Sequence, residues 1–392
     1  MKPAAPSVVV PVSRGARPIS QDFGFGIEEE YFITSPRTRT TLSHMPQRML
    51  DRARDALGAQ VSREMLQSQI EVVSKVCHSA AEGREEMLHL RGTVCAIASD
   101  YDLGLIASGT HPMAEWAEQK QTDKPRYDVV MDDLRMLGQR NLLCGQHVHV
   151  SLPDPSRRVE VMNRVVPFLP VLLALSTSSP FWKKHRTGLM GYRLVAYDEL
   201  PRTGIPPLFP EPADYDRYIE TLTAAGVIPD SSYIWWAIRP SLKYPTLELR
   251  VADCCTHIDD ALCVAALYRC LIRHLYLNPE VNAGWTEITR LVADENKWRA
   301  QRYGIDGGLV DEASRRLLSF PELLDRILTM VGEDAKALNC EAEIGHAREI
   351  VKRGTSAHGQ LAVYREARDH GLSRLDALKK VVDWLLDTTR PK

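Results

Sequence analysis

Apolar and polar residues alternate most regularly between residues 22 and 34. Phe23, Phe25, Ile27, Tyr31 and Ile33 fall on one face of an extended segment, interrupted by Glu29, while Gly24, Gly26, Glu28 and Glu30 fall on the other. A period of two predicts a strand with one buried face. The period recurs over residues 67–73, where Gln67, Gln69 and Glu71 oppose Ser68, Ile70 and Val72. It recurs again over 144–149, where His147 and His149 share a face, and over 246–251, where Glu248 and Arg250 do. Three of these strands each present two ionisable groups together, which is the layout of a metal site built on a sheet.

Elsewhere the spacing turns helical. Met87, Leu90, Val94, Ile97 and Ala98 predict a helix over residues 79–100, and similar patterns predict helices over 128–141 and 159–176. A short strand is expected at Leu105-Ile106-Ala107, and two more over 233–239 and 246–251, joined through Pro240 and Pro245. Residues 200–212 hold Pro201, Gly204, Pro206, Pro207, Pro210 and Pro212, which exclude regular structure there. Beyond Thr256, an N-cap candidate with Asp259 and Asp260 in the following turn, the pattern is helical to the end. This order predicts an α+β fold in which a mainly antiparallel sheet carries helices on one face. A flexible tail is expected over residues 1–20 and one catalytic domain over 21–390, its last third, about 256–390, helical.

Composition narrows the partners. The 392 residues carry 49 basic and 51 acidic side chains, a formal net charge of −2, so nothing favours nucleic acid or an anionic membrane, and small molecules are the expected partners. The eight cysteines are scattered without zinc-knuckle spacing and read as reduced core or surface thiols. The most apolar stretch, residues 165–175, contains Pro167 and Pro170 and is about half of the roughly 20 residues that span a bilayer. It reads as a core helix, and with no signal-type segment at the start a cytoplasmic location is expected.

Two carboxylates one pleat apart, Glu28 and Glu30, either repel each other or share a cation. With His149 and Glu248 on similarly built strands, the cation is the stronger reading, and a carboxylate-rich set with a single imidazole favours Mg²⁺ or Mn²⁺ over zinc. Glu71 is a further ligand candidate. Glu64 joins it only if a turn or bulge intervenes, because seven residues of continuous strand point the two to opposite faces; otherwise it is a surface carboxylate. His147 is left to face substrate, nucleotide or a group behind the ligands. Arg250, beside Glu248, is a fixed cation suited either to a phosphate or to a salt bridge. Trp182, Arg186 and Arg193 are substrate candidates in a loop after the apolar helix. The chain has no Walker loop and no Gly-x-Gly-x-x-Gly after a strand, so a bound nucleotide would be held through metals and arginines.

Several segments in order resemble the type 2 glutamate–cysteine ligase family, and within it the bacterial carboxylate–amine ligases of the YbdK type. They are Gly26-Ile27-Glu28-Glu29-Glu30, Gln69-Ile70-Glu71, Gly109-Thr110-His111-Pro112, Cys144-Gly145-Gln146-His147-Val148-His149, Ser179-Pro180-Phe181-Trp182, Thr246-Leu247-Glu248-Leu249-Arg250, the run from Asn296 to Gly304, and Gly354-Thr355-Ser356-Ala357. The resemblance implies a glutamine-synthetase-like catalytic fold with a curved sheet, ATP bound through Mg²⁺ ions, and amide formation through an acyl phosphate. It implies that Glu28, Glu64 and Glu71 hold one metal and Glu30, His149 and Glu248 a second. Arg250 would meet the transferring phosphate, with His147 also on the nucleotide side, and Arg193 would bind substrate carboxylate or the phosphoryl group. Glutamate and cysteine are the implied substrates, and a homodimer or larger homo-oligomer the implied assembly.

The chain departs from the family pattern after Phe181-Trp182. An acidic residue is usual where Arg186 stands, and Val72-Val73-Ser74 replaces the expected Leu-x-Thr. The metal machinery is therefore expected intact and the substrate pocket reshaped. A ligase for another amino acid or a specialised metabolite, a metal-dependent amide hydrolase and a non-catalytic nucleotide-binding protein are the competing readings.

Overall fold

A row of apolar side chains that includes Phe25, Ile27, Tyr31 and Ile33 is stable only when covered, and the strand that carries it, β1 (Phe25–Ser35), lies inside the sheet with all four buried. The computed structural model describes residues 23–391, so the tail expected over 1–20 lies outside the described residues. The strands that follow are β2 (Thr40–Thr41), β3 (Val61–Arg63), β4 (Gln69–Val73), β5 (Gly104–Ile106), β6 (Gly145–Ser151), β7 (Phe181–Trp182), β8 (His185–Arg186), β9 (Ile238–Pro240), β10 (Thr246–Asp253), β11 (Gly308–Asp311) and β12 (Arg316–Ser319). Seven of them join β1 in one sheet in the order β3-β4-β1-β6-β10-β9, with β2 and β5 also on β1, and every pairing is antiparallel. This is the α+β arrangement that the sequence predicts.

Helices Ala80–Ser99, Leu169–Ser176 and Ile258–Leu277 pack against one face of the sheet, where Ile27, Val148, Leu247, Leu249 and Val251 meet them. Ala80–Ser99 starts where expected, because Ser79 Oγ accepts from the Glu82 amide at 3.2 Å. Glu29, the one break in the apolar row of β1, is completely buried and forms an ion pair with equally buried Arg91 at 2.5 Å. Arg91 also donates to the carbonyls of Thr256 at 2.7 Å and Cys255 at 3.0 Å, and Tyr31 Oη donates to Glu29. A charge enters this core only because its hydrogen-bonding capacity is filled.

Several boundaries differ from the sequence expectation. The strand expected over 233–239 shrinks to β9, because the amides of Trp235 and Ala237 donate instead to the carbonyls of Arg202 and Gly204, each at 2.8 Å. The helix expected over 128–141 runs from Pro125 to Leu134 and resumes over Met136–Gln139, broken at Arg135, whose φ is 52°. Thr256 is not the N-cap, which falls on His257; the Thr256 hydroxyl donates to the Ala107 carbonyl at 2.7 Å and meets Ser356 Oγ at 2.6 Å. The last third is not wholly helical, since β11 and β12 pair as a hairpin. Arg193 lies on a short helix, Tyr192–Tyr197, and not in a loop. The helical run Pro155–Ser176 exceeds the expected core helix and is long and apolar enough to cross a bilayer, yet 83 % of its most apolar window is buried inside the protein. All eight cysteines are free and buried, so none is a surface thiol.

Candidate active site

Register places the predicted residues on one face. Glu28 lies opposite His147 and Gly26 opposite His149 in the β1–β6 pair, Glu248 opposite His149 in β10–β6, and Glu30 opposite Glu71 in β1–β4. Directly opposed residues of antiparallel strands point the same way. Glu28, Glu30, Glu71, His147, His149 and Glu248 therefore project together from the side of the sheet away from Ile27 and Val148. Glu64 joins them through the turn that the sequence required. β3 and β4 form a hairpin, and the Glu64 amide donates to the Gln69 carbonyl at 3.2 Å, which brings Glu64 to Glu71.

Two groups form on this face. Glu28 Oε2 is 3.3 Å from His147 Nδ1 and Glu28 Oε1 is 3.2 Å from His149 Nε2; His149 Nδ1 meets Thr246 Oγ1 at 2.9 Å. Ligand atoms of Glu28, His147 and Glu248 lie within 4.8 Å of one another. Glu30, Glu64 and Glu71 make the second group, with Glu28 bordering both. The resemblance implies Glu28 with Glu64 and Glu71, and the charge of Glu28 acts on Glu71 as that of Glu64 does.

The electrostatics separate the groups further. Burial raises the Glu28 carboxyl, but the hydrogen bonds and charge of His147 and His149 outweigh it and hold the group well below the ordinary range. Burial, and then the charge of Glu64, push Glu30 up to about 7. Burial and the adjoining Glu64 push Glu71 well above the ordinary range. Burial, and then Arg250, lower His147 to about 4. Among the described residues none of Glu30, Glu64 and Glu71 makes an ion pair with lysine or arginine. His147 Nε2 is buried without a hydrogen-bond partner, 4.0 Å from Glu30 Oε1. Converging carboxylates of which Glu30, Glu64 and Glu71 have no lysine or arginine ion pair, beside an unpartnered imidazole nitrogen, fit a hard divalent cation with oxygen-dominated ligation.

Arginines close the other end. Arg239, opposite Glu248 in β9, donates to it at 2.8 and 3.1 Å, and Arg250 donates to the same carboxylate. Burial would raise Glu248, but Arg239 and Arg250 hold it far below the ordinary range. Three of about four lone-pair positions on this carboxylate are thereby filled, which leaves one for a metal. Arg250 Nη2 also donates to Tyr197 Oη at 3.2 Å. A bulge in β10 between Leu249 and Ala252 turns out the carbonyls of Arg250 and Ala252, and Arg193 Nη1 donates to each at 3.1 Å. Gly145 makes room, since a Cβ there would sit 2.2 Å from Arg193 Nη2. The Gly145 amide donates to Glu30 at 2.5 Å. Ser179 Oγ accepts from the Arg193 amide at 2.9 Å and donates to Asp253 at 2.6 Å.

Residues 24–377 match the sequence model of glutamate–cysteine ligase family 2. The chain belongs to that family. It is 50% identical over 354 residues to a protein of Bradyrhizobium diazoefficiens provisionally named glutamate–cysteine ligase 2, covering 90% of this chain and 83% of that one. A relative in Rhodospirillum rubrum with the same provisional name is 47% identical over 371 residues, covering 94% and 95%. Among solved structures, glutamate–cysteine ligase of Francisella tularensis in complex with AMP superposes with a TM-score of 0.68 at 12% identity, covering 95% of this chain and 89% of that one. The bifunctional glutathione synthetase of Pasteurella multocida gives a TM-score of 0.68 at 13% identity over 94% of this chain, which spans only 53% of that protein. At these identities the superpositions establish a shared fold.

Within this family 2 ligase fold, two predicted substrate residues lie off the acidic face. Arg186 is exposed in the β7–β8 hairpin, and Trp182 lines a separate surface depression with Glu115, Lys183 and Tyr192. Sequence reading missed Arg239 and Tyr197. Arg239 alone left a signal, a cation between apolar Ile238 and Pro240 in a segment already read as strand.

Proposed function

We propose that this family 2 ligase joins a carboxylate to an amine with ATP and Mg²⁺ or Mn²⁺, glutamate and cysteine being the pair that the family name suggests. The observation that carries this reading is the convergence of Glu28, Glu30, Glu64, Glu71 and Glu248 with His147 and His149 on one sheet face, capped by Arg193 and Arg250. Glu28, His147, His149 and Glu248 would hold one cation, and Glu30, Glu64 and Glu71 another. The bound metals supply charge neutralisation between two anions that otherwise repel.

In this reading the substrate carboxylate oxygen bonds to the γ-phosphorus as the bond to ADP breaks. The amine nitrogen then bonds to the acyl carbon as phosphate leaves with the electron pair of the C–O bond and takes up the proton that nitrogen loses. Arg250, braced by Glu248 and Tyr197, faces the charge that moves with the phosphoryl group. Arg193, locked by two carbonyls, has its buried Nε unpartnered and lines the same cleft. It orients the substrate carboxylate for in-line attack. The AMP complex of the Francisella protein supports nucleotide use on this fold.

The test is ADP release with ATP, Mg²⁺ and carboxylate–amine pairs, with product masses recorded. ADP that requires both substrates and a condensed product is expected. Glu248→Gln is expected to abolish release with the fold intact, and wild-type turnover in that variant would remove Glu248 from the site. Amide cleavage without ATP would instead establish a hydrolase.

A further inference from the structure

The cleft that Glu30, Glu64, Arg193 and Arg250 line has a volume of about 130 Å³, and part of its wall is apolar, formed by Met65, Val130, Leu134, Leu143, Leu200 and Trp235. These six side chains come from five segments: the β3–β4 turn, the helix Pro125–Leu134, the approach to β6, the residues after Tyr192–Tyr197, and the stretch before β9. Convergence of apolar groups from several segments on a space that holds several water molecules disfavours water as the occupant, because apolar surface facing water costs about 25 cal/mol per Å². A compact polar substrate would leave that wall wet.

The polar groups in the cavity are mostly committed. Gln69 Nε2 donates to the Leu143 carbonyl at 2.6 Å, and Arg126 at the rim donates to Ser232 Oγ at 2.7 Å while lying over the Tyr233 ring. Asn141 Oδ1 is buried with no hydrogen-bond partner, the one such acceptor among the described residues of the cavity, beside the unpartnered donors Arg193 Nε and Arg250 Nε. Its free acceptor suits an N–H donor. A carboxylate would be drawn to Arg193 and Arg250 instead.

We propose that this cavity receives the amine substrate, and that the amine carries an apolar body: an alkyl or arylalkyl amine, or an amino acid with such a side chain. This rests on the ligase reading above. One or two methylenes of apolar complementarity are worth about 10–200-fold in kcat/KM. Apolar amines are therefore expected to exceed cysteine and serine by a factor in that range.

The experiment pairs L-glutamate, ATP and Mg²⁺ with cysteine, serine, leucine, phenylalanine, butylamine and phenethylamine, and measures ADP release and product mass. Calorimetric titration of butylamine and phenethylamine runs in parallel on wild type, Leu134→Asn and Trp235→Ala. Trp235 is only partly buried, which makes its variant the safer one should Leu134→Asn fail to fold. Preference for apolar amines that falls at least about tenfold in either folded variant supports the proposal. Turnover with cysteine or serine and no apolar-amine binding overturns it and leaves the ligase reading standing. Apolar-amine binding that weakens in the variants, with no ADP from any pair, supports the cavity assignment and removes the ligase reading. Absence of both turnover and binding overturns both.

Discussion

Replacing Arg91 by methionine strands the Glu29 carboxylate in a core where neither side chain is exposed to solvent. The cost is bounded, because the carboxylate can take a proton. An ordinary glutamate titrates near about 4.3, so neutralising one at pH 7 costs about 3.7 kcal/mol at 1.36 kcal/mol per pH unit. The Thr256 and Cys255 carbonyls also lose their donors, which adds about 1 kcal/mol each. Arg91→Met is therefore expected to destabilise by about 5–6 kcal/mol at neutral pH, a large part of the roughly 5–15 kcal/mol typical of a folded protein. Urea unfolding followed by circular dichroism reads this directly. The double variant Glu29→Gln/Arg91→Met removes the stranded charge, keeps an acceptor for Tyr31 Oη, and should recover about 3–4 kcal/mol. The difference between single and double variants should shrink by about 1.4 kcal/mol for each pH unit from 7 to 5, since the single variant's folded state takes up the proton and all other titrations cancel. A single variant that costs under about 1 kcal/mol, or a difference that does not change with pH, would refute the argument.

Three further outcomes are expected. Burial lowers His111 to about 3, and its Nδ1 accepts from the Met113 and Ala114 amides at 3.1 Å each, so the unfolded chain takes up this proton first. The stability it contributes is present above about 6.5 and is lost as pH falls toward about 3, by up to about 1.4 kcal/mol per unit; His111→Asn should flatten that limb in denaturation at successive pH values, and an unchanged slope would contradict it. Lys297 Nζ, buried at 2.6 Å from Asp198 and 3.4 Å from Asp294, anchors the residue after Tyr197; Lys297→Met should cost about 1–3 kcal/mol and lower kcat in ADP release, with Lys297→Arg restoring most of both. Because Glu71 is held well above the ordinary carboxylate range, folding at neutral pH works against its ionisation, and Glu71→Gln should raise metal-free melting. Saturating Mg²⁺, worth about 2.7 kcal/mol at a hundred times Kd, should stabilise wild type but not that variant, as scanning calorimetry would show.

Side-chain alternation along a strand is a property of the local backbone, and for that reason the chain alone determined that Glu28 pairs with Glu30, His147 with His149 and Glu248 with Arg250 on common faces. The helix beginning at Ser79 was legible for the same reason, since its cap and its apolar spacing lie within one short stretch. The proline-rich break over 200–212 needed no partner to be read. Pairing is not local, and everything that depended on it was decided by the tertiary structure. The β3–β4 turn brought Glu64 to Glu71, and register set Arg239 on Glu248 and Glu30 opposite Glu71. Glu29 broke an apolar row with no visible reason until Arg91, 62 positions away, arrived beneath it. The strand expected over 233–239 was lost to a loop that competed for its amides, and Arg193 took its place through carbonyls released by a bulge in β10. Each of these depends on which distant backbone group satisfies a donor or a charge, and only the assembled sheet supplies that partner.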